Sequence, residues 1–131
     1  MQSILNGDAH LCFAVLDDEP LMAQLVSDML GSVHVSVEVF SLGAELLQSA
    51  NLLKFKSIIL DLSLPDIDGF DLMDKLAQKC AGMSIVLISG HDDVILRAAR
   101  IYGEARGLNM LATLGKPFTR GDLLSVLGWS E

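Results

Sequence analysis

Ser57-Ile58-Ile59-Leu60-Asp61-Leu62-Ser63-Leu64-Pro65-Asp66-Ile67-Asp68-Gly69 is the stretch whose reading decides the fold. Residues 57–60 form a short apolar run, and the residues after Asp61 are loop formers. A short continuous apolar run bounded by turn residues fits a strand buried on both faces. Asp61 therefore stands at the carboxyl end of a buried strand, where open α/β sheets gather their chemistry. Working outward, the apolar run Leu11-Cys12-Phe13-Ala14-Val15-Leu16 ends in Asp17-Asp18, and Lys116 follows a later run and precedes Pro117. Three acids and one lysine at three strand ends point to a metal-assisted phosphoryl site.

The rest of the chain alternates between strand and helix patterns. Pro20 suits the first turn of a helix, where its missing N–H has no partner to lose. Met22, Leu25, Val26, Met29 and Leu30 recur at helical spacing, and Gly31 suits the stop. Val33, Val35, Val37 and Val39 alternate with polar residues, which predicts a half-buried strand over 33–39. Ser41 is expected to cap a helix running to about Asn51. Asp68 is expected to cap a helix carrying Phe70, Leu72, Met73 and Leu76. Residues 84–88 repeat the continuous apolar texture. Asp92 or Asp93 is expected to cap a helix with Val94, Ala98, Ile101 and Ala105 on one face. Residues 108–114 read as a last strand, and Thr119 with Asp122 as a capping box before Leu123, Leu124 and Leu127.

Five βα units in succession imply an α/β fold with a parallel sheet covered by helices on both faces. Strands with continuous apolar texture belong at the centre and the alternating one at an edge. The flavodoxin-like (βα)5 doubly wound order 2-1-3-4-5 satisfies this and sets strands 1 and 3 beside the switch point. The expected organisation is a single domain over 1–131 with its core at about 10–128.

Composition narrows the function. The chain has 131 residues, 51% of them hydrophobic and 20% charged, and a formal charge of −8. No Lys or Arg precedes Lys54, so residues 1–53 carry −7 on seven acids. An acidic domain without a basic stripe does not suit direct nucleic-acid binding. The uncharged start lacks the basic n-region of a secretory signal, and no apolar run approaches the roughly 18 residues of a membrane span. Cys12 and Cys80 form neither a disulfide framework nor a metal motif, and Cys12 reads as a small core residue. His10, His34 and His91 show no metal spacing. A reducing cytoplasm is the expected location.

Four pieces in this order, each at a strand end, closely resemble the receiver domain of two-component response regulators: Asp17-Asp18, Asp61 with Leu64-Pro65-Asp66-Ile67-Asp68-Gly69, Ser89-Gly90, and Lys116-Pro117-Phe118. The resemblance covers roughly residues 10–128. It implies a phosphorelay function in bacterial signalling. Asp61 would be the phospho-acceptor, taking a phosphoryl group from a histidine kinase or histidine phosphotransfer protein and switching an unspecified output domain or partner. No direct nucleic acid and no membrane would be involved. Carboxylates that form aspartyl-phosphate are a known class of nucleophile. The resemblance also implies Mg²⁺ (or Mn²⁺), held directly by Asp18, Asp61 and the backbone carbonyl of Ser63, with Asp17 acting through water. Lys116 and Ser89 would contact phosphoryl oxygens, Gly90 would leave room for the incoming group, and the bond before Pro117 would be cis. His91 falls where the family's variable residue tunes phosphate lifetime, though an ordinary loop histidine fits as well.

Taken singly, the residues have plainer readings. Asp18 could cap the helix at Pro20, Asp66 and Asp68 read as turn and cap residues, Lys116 as a surface charge and Ser89 as a strand-end hydroxyl. Two departures stand out. Thr113 replaces the family's usual aromatic three residues before the lysine, and the stretch 106–116 lacks the usual Gly-Ala-Asp pattern, which more weakly resembles receivers ahead of EAL-type cyclic-di-GMP phosphodiesterase domains. Alternative functions are a pseudo-receiver that only binds partners and an aspartate-nucleophile phosphatase. The second wants an aspartate at the position of Ser63.

Overall fold

The computed structural model describes residues 11–31, 35–90 and 93–128. The elements run β1 (Leu11–Leu16), α1 (Pro20–Leu30), β2 (Val35–Phe40), α2 (Gly43–Leu47), β3 (Ser57–Asp61), α3 (Gly69–Lys79), β4 (Ser84–Ser89), α4 (Asp93–Ala105), β5 (Asn109–Gly115) and α5 (Arg120–Val126). A 3₁₀ turn at Leu52–Lys54 precedes β3. The five strands are parallel, in the order β2-β1-β3-β4-β5.

Strand texture produces the two-sided core. Along β3 and β4 alternate side chains go to opposite faces. Ile58, Leu60, Ile85 and Leu87 pack with Leu46, Leu72, Met73, Leu76 and Leu96 on the face covered by α2, α3 and α4. Ile59, Val86 and Ile88 pack with Val26, Met29, Leu30, Leu123 and Leu124 on the face covered by α1 and α5. β2 lies at the edge as its alternation predicts; of the valines on its inner face Val35 is buried and Val37 packs against the core, while Val39, further along the same face, is exposed. Val33 and His34 lie outside the described residues, as do His10, His91 and Asp92. Cys12 is half-buried beside Glu38, while Cys80 is buried and its thiol is pushed up by that burial.

The structure corrects several helix expectations. In α1 the inner face is Ala23, Val26, Met29 and Leu30, and Leu25 faces outward with Leu21. Gly31 ends that helix at φ −58°, without the left-handed turn. In α4 the inner residues are Leu96, Ala99 and Gly103, whereas Val94 and Ile101 are 64% and 68% exposed. Both helices carry apolar residues on more than one side, so periodicity alone does not select the buried stripe. Asp93 is the first residue of α4.

The second helix is shorter than expected and is capped differently. It ends at Leu47, and beyond it Asn51 N–H donates to Ser49 Oγ at 3.1 Å, a local bond that competes with helix. Its N-cap is Leu42, which has no side-chain acceptor, rather than Ser41. Glu45 reaches back to accept from the Ser41 and Leu42 amides, and Asp66 accepts from Gly43 N–H at 3.0 Å and Ala44 N–H at 3.1 Å. Asp66 thus caps a helix more than twenty residues upstream and ties the β3–α3 loop to it. Those amides hold its carboxyl below the ordinary range. A lowered carboxyl value stabilises the fold above the unfolded value of 3.8 and loses that contribution as pH falls through the folded value. Asp66→Ala should therefore cost about 1 kcal/mol at neutral pH, reduced by solvent screening at this exposed position. The loss should shrink progressively when urea unfolding is repeated at pH values falling below 3.8. Asp68 caps α3 by accepting from Phe70 and Asp71 N–H, and Thr119 and Asp122 form the expected capping box.

Candidate functional site

The site lies at the carboxyl ends of β1, β3, β4 and β5. Parallel register sets its spacing. Leu16 pairs with Leu60, so Asp17 and Asp61 leave the sheet side by side. Asp61 pairs with Ile88, so Ser89 ends the next strand one residue further on. Asp17 N–H donates to Phe40 O at 3.0 Å, and Lys116 N–H donates to Ser89 O at 2.9 Å. The loop ends are thereby held by backbone bonds that do not depend on the side chains in the cleft.

Asp17 and Asp61 are 1% and 2% exposed, and Ser89 is fully buried. Lys116 Nζ lies 3.2 Å from Asp61 Oδ2, 3.4 Å from Asp17 Oδ2 and 3.4 Å from Glu19 Oε1. The remaining oxygens of the two buried aspartates accept backbone N–H groups, Asp17 Oδ1 from Glu19 at 2.9 Å and Asp61 Oδ1 from Ser63 at 3.0 Å. Burial, and less strongly the Asp61 charge, push the Asp17 carboxyl above its ordinary value against the pull of the Glu19 amide and Lys116. Lys116 is also raised. Burial opposes its charge, but the facing carboxylates of Asp61 and Asp17 outweigh that.

An open cleft of about 370 Å³ adjoins these groups, lined by Asp18, Glu19, Asp61, Ser63, Gly90 and Lys116. A Cβ at Gly90 would meet nothing within 4 Å, so the floor there is clear. The Lys116–Pro117 bond is cis. The structure brings Asp17, Asp61, Ser89 and Lys116 together, with Asp18 and Ser63 on the cleft wall; the Asp18 carboxylate is not among the acids that lie within 4.8 Å of one another. Asp18 is exposed and is not the cap of α1, whose N-cap is Glu19 and makes no side-chain cap bond.

Carboxylate oxygens of Asp17, Glu19 and Asp61 lie within 4.8 Å of one another. A set of hard carboxylate oxygens beside an open cleft fits a small divalent cation such as Mg²⁺. Glu19 is the residue that sequence reasoning missed. Its signal was present in the unbroken acidic run Asp17-Asp18-Glu19. Among the described residues no helix is long and apolar enough to cross a membrane.

Comparison with known proteins agrees with this geometry. Residues 13–128 match the family model for the response regulator receiver domain. The chain is 28% identical to the response regulator protein TmoT of Ectopseudomonas mendocina over 92% of its own length and 53% of the relative's. It is 30% identical to the probable transcriptional regulatory protein TcrX of Mycobacterium tuberculosis, over 80% of this chain and 43% of that one. The chain thus spans about half the length of the curated relatives it matches. Among solved structures, a response regulator from Colwellia psychrerythraea superposes with a TM-score of 0.78 at 29% identity, covering 92% of this chain and 95% of the other. The chemotaxis protein CheY4 of Vibrio cholerae does so at 0.76 and 26%, covering 92% and 98%. With five parallel strands in the order 2-1-3-4-5 and the family match over nearly all of the described sheet, the chain belongs to the response regulator receiver domains.

Proposed function

We propose that Asp61 accepts a phosphoryl group in a phosphorelay and that the resulting change of charge in the cleft switches binding of a partner or output domain. The single observation that carries this reading is the buried Asp61 carboxylate, 3.2 Å from the Lys116 ammonium at the edge of an open cleft. The donor would be a phosphohistidine on a kinase or phosphotransfer protein. A carboxylate oxygen of Asp61 forms the new P–O bond as the donor's P–N bond breaks, and the donor imidazole keeps the electron pair. Lys116 offers an ammonium point charge to the transferred group, the role that suits lysine among the basic residues. Ser89 supplies a hydroxyl donor at the adjoining strand end, and Gly90 keeps the approach clear.

Mg²⁺ or Mn²⁺, when bound, offsets the repulsion between the carboxylates and the anionic phosphoryl group. Asp18, Asp61 and the Ser63 carbonyl would hold it directly. Asp17 would contribute through water, as the family resemblance implies. Asp18→Ala is therefore expected to weaken Mg²⁺ binding more than Asp17→Ala in titration calorimetry. Equal affinity in wild type and Asp18→Ala would refute the assignment. Affinity should also fall as pH drops, because the cation needs ionised carboxylates and burial already raises the Asp17 carboxyl. We place the receiver core at about 10–128 within a cytoplasmic protein, with the domain acting as an acceptor that carries no separate effector chemistry. The test of the whole reading is incubation with acetyl phosphate with and without Mg²⁺, read by intact-mass spectrometry.

A further inference from the structure

α2 and α3 are pinned together at one corner and leave a wedge beside it. At the corner Asp66 Oδ1 accepts from Gly43 N–H at 3.0 Å and Asp66 Oδ2 from Ala44 N–H at 3.1 Å. Ile67 packs so closely on Gly43 that a Cβ at that position would overlap its Cγ2. The wedge next to this corner has a volume of about 340 Å³. Ala44, Leu47 and Ile67 give it apolar surface, and Lys75 and Lys79 of α3 border it. Leu47 and Ile67 rest in turn on the core beneath. The two backbone bonds at the corner fix the helices, so the wedge is preformed, and a preformed site costs less to fill.

The charge around the wedge is one-sided. Lys75 and Lys79 are exposed and four residues apart, so they share one face of α3 and repel each other. The acids near them are engaged locally. Asp66 has both oxygens on the α2 amides. Glu45 turns back to the Ser41 and Leu42 amides. Asp74 accepts from Tyr102 Oη at 2.8 Å and from Arg106 Nε at 2.8 Å, across to α4. Asp71 stands one turn before Lys75, yet among the described residues neither lysine belongs to an ion pair. In a chain with a formal charge of −8, this lysine pair beside apolar surface is a local exception. Apolar surface edged by two cations matches a helix with apolar side chains on one face and carboxylates beside them. Two carboxylates four residues apart on that helix repeat the spacing of the lysines.

We propose that the wedge between α2 and α3 docks an acidic amphipathic helix of a partner protein, which sets an apolar side chain against Leu47 and Ile67 and pairs two carboxylates with Lys75 and Lys79. This surface is separate from the Asp61 cleft and does not depend on the reading of Asp61 as the acceptor.

The test is a titration of the whole chain, without cation or phosphoryl donor, followed by amide NMR spectra. The probe is a capped synthetic peptide of about 15 residues, with Glu at two positions four apart and Leu on the neighbouring face. Shifts should concentrate at Ala44, Leu47, Ile67, Lys75 and Lys79. Lys75→Glu and Lys79→Glu should each weaken binding at least about tenfold, because each sets like charges against each other. Both change exposed side chains, so the remaining spectrum should keep its wild-type pattern. A peptide with Lys in place of the two Glu, or Ser in place of Leu, should not bind. No shift at millimolar peptide, shifts confined to other exposed apolar residues such as Leu21 or Ile101, or affinity unchanged in both lysine variants would overturn the proposal. Self-association of the chain that Lys79→Glu abolishes, read by sedimentation, would put a second copy in the wedge and overturn it as well.

Discussion

Asp61→Asn is expected to abolish phosphate acceptance completely. The amide nitrogen and oxygen left at that position cannot act as the carboxylate nucleophile that aspartyl-phosphate chemistry requires. The neighbouring carboxylates do not replace it. Asp17 is buried, and its raised carboxyl makes it a poorer anion. Asp18 and Glu19 sit at the exposed mouth of the cleft. The variant should fold. Removing the Asp61 charge relieves one cause of the raised Asp17 carboxyl and takes one partner from Lys116, and these effects oppose each other. A thermal midpoint within about 5 °C of wild type corresponds to a net change near 1 kcal/mol for a domain of this size. Intact-mass spectrometry after acetyl phosphate and Mg²⁺ should show one added phosphate in wild type and none in the variant. Full labelling of Asp61→Asn would show that another residue is the acceptor.

Lys116→Arg is expected to separate acceptance of phosphate from the response to it. The charge is kept, but a planar guanidinium replaces a compact ammonium that now stands 3.2–3.4 Å from three carboxylates at once. A fork-shaped donor cannot hold the same three-way geometry in a side chain that is 18% exposed. Phosphate should still be taken up, because the nucleophile and the cation ligands are untouched. The conformational response should be largely lost, because the contact that links the phosphoryl group to the β5–α5 loop is mis-shaped. The comparison is labelling by mass spectrometry against phosphate-induced amide shifts in NMR spectra. A variant that labels normally and shows the full wild-type pattern of shifts would remove Lys116 from the relay. Lys116 also carries a pH dependence. Its value is raised in the fold, so its stabilising contribution is present below the ordinary 10.5 and is lost as pH rises through the folded value.

The sheet and its site were legible because both follow from period-two physics. Ile58-Ile59-Leu60 and Ile85-Val86-Leu87-Ile88 must be buried on two faces, which forces them to the centre, and parallel register then sets Asp17, Asp61 and Ser89 at adjoining strand ends. Local capping by Asp68, Thr119 and Asp122 was legible for the same reason: acceptor and amide are neighbours in sequence. Helix orientation was not. Leu21 and Leu25 on α1, and Val94, Ile95 and Ile101 on α4, give each helix a second apolar side, and only the shape of the sheet decides which one is covered. Long-range side-chain contacts were equally hidden. Nothing in the spacing of Asp66 announces that it caps α2, and nothing in the spacing of Asp74, Tyr102 and Arg106 announces a clamp between α3 and α4. Glu19 lay in plain view, but its part depends on the direction of Lys116, which the sequence does not specify.

The most direct measurement locates the phosphate in the wild-type chain. An acyl phosphate is reduced by borohydride to an alcohol, so a phosphorylated aspartate is converted to homoserine and can be placed by peptide sequencing in a mass spectrometer. After acetyl phosphate and Mg²⁺, homoserine should appear at position 61 alone and should be absent when the cation is withheld. Homoserine at position 17 or 18, or labelling at position 61 that is unchanged without a divalent cation, would contradict the account.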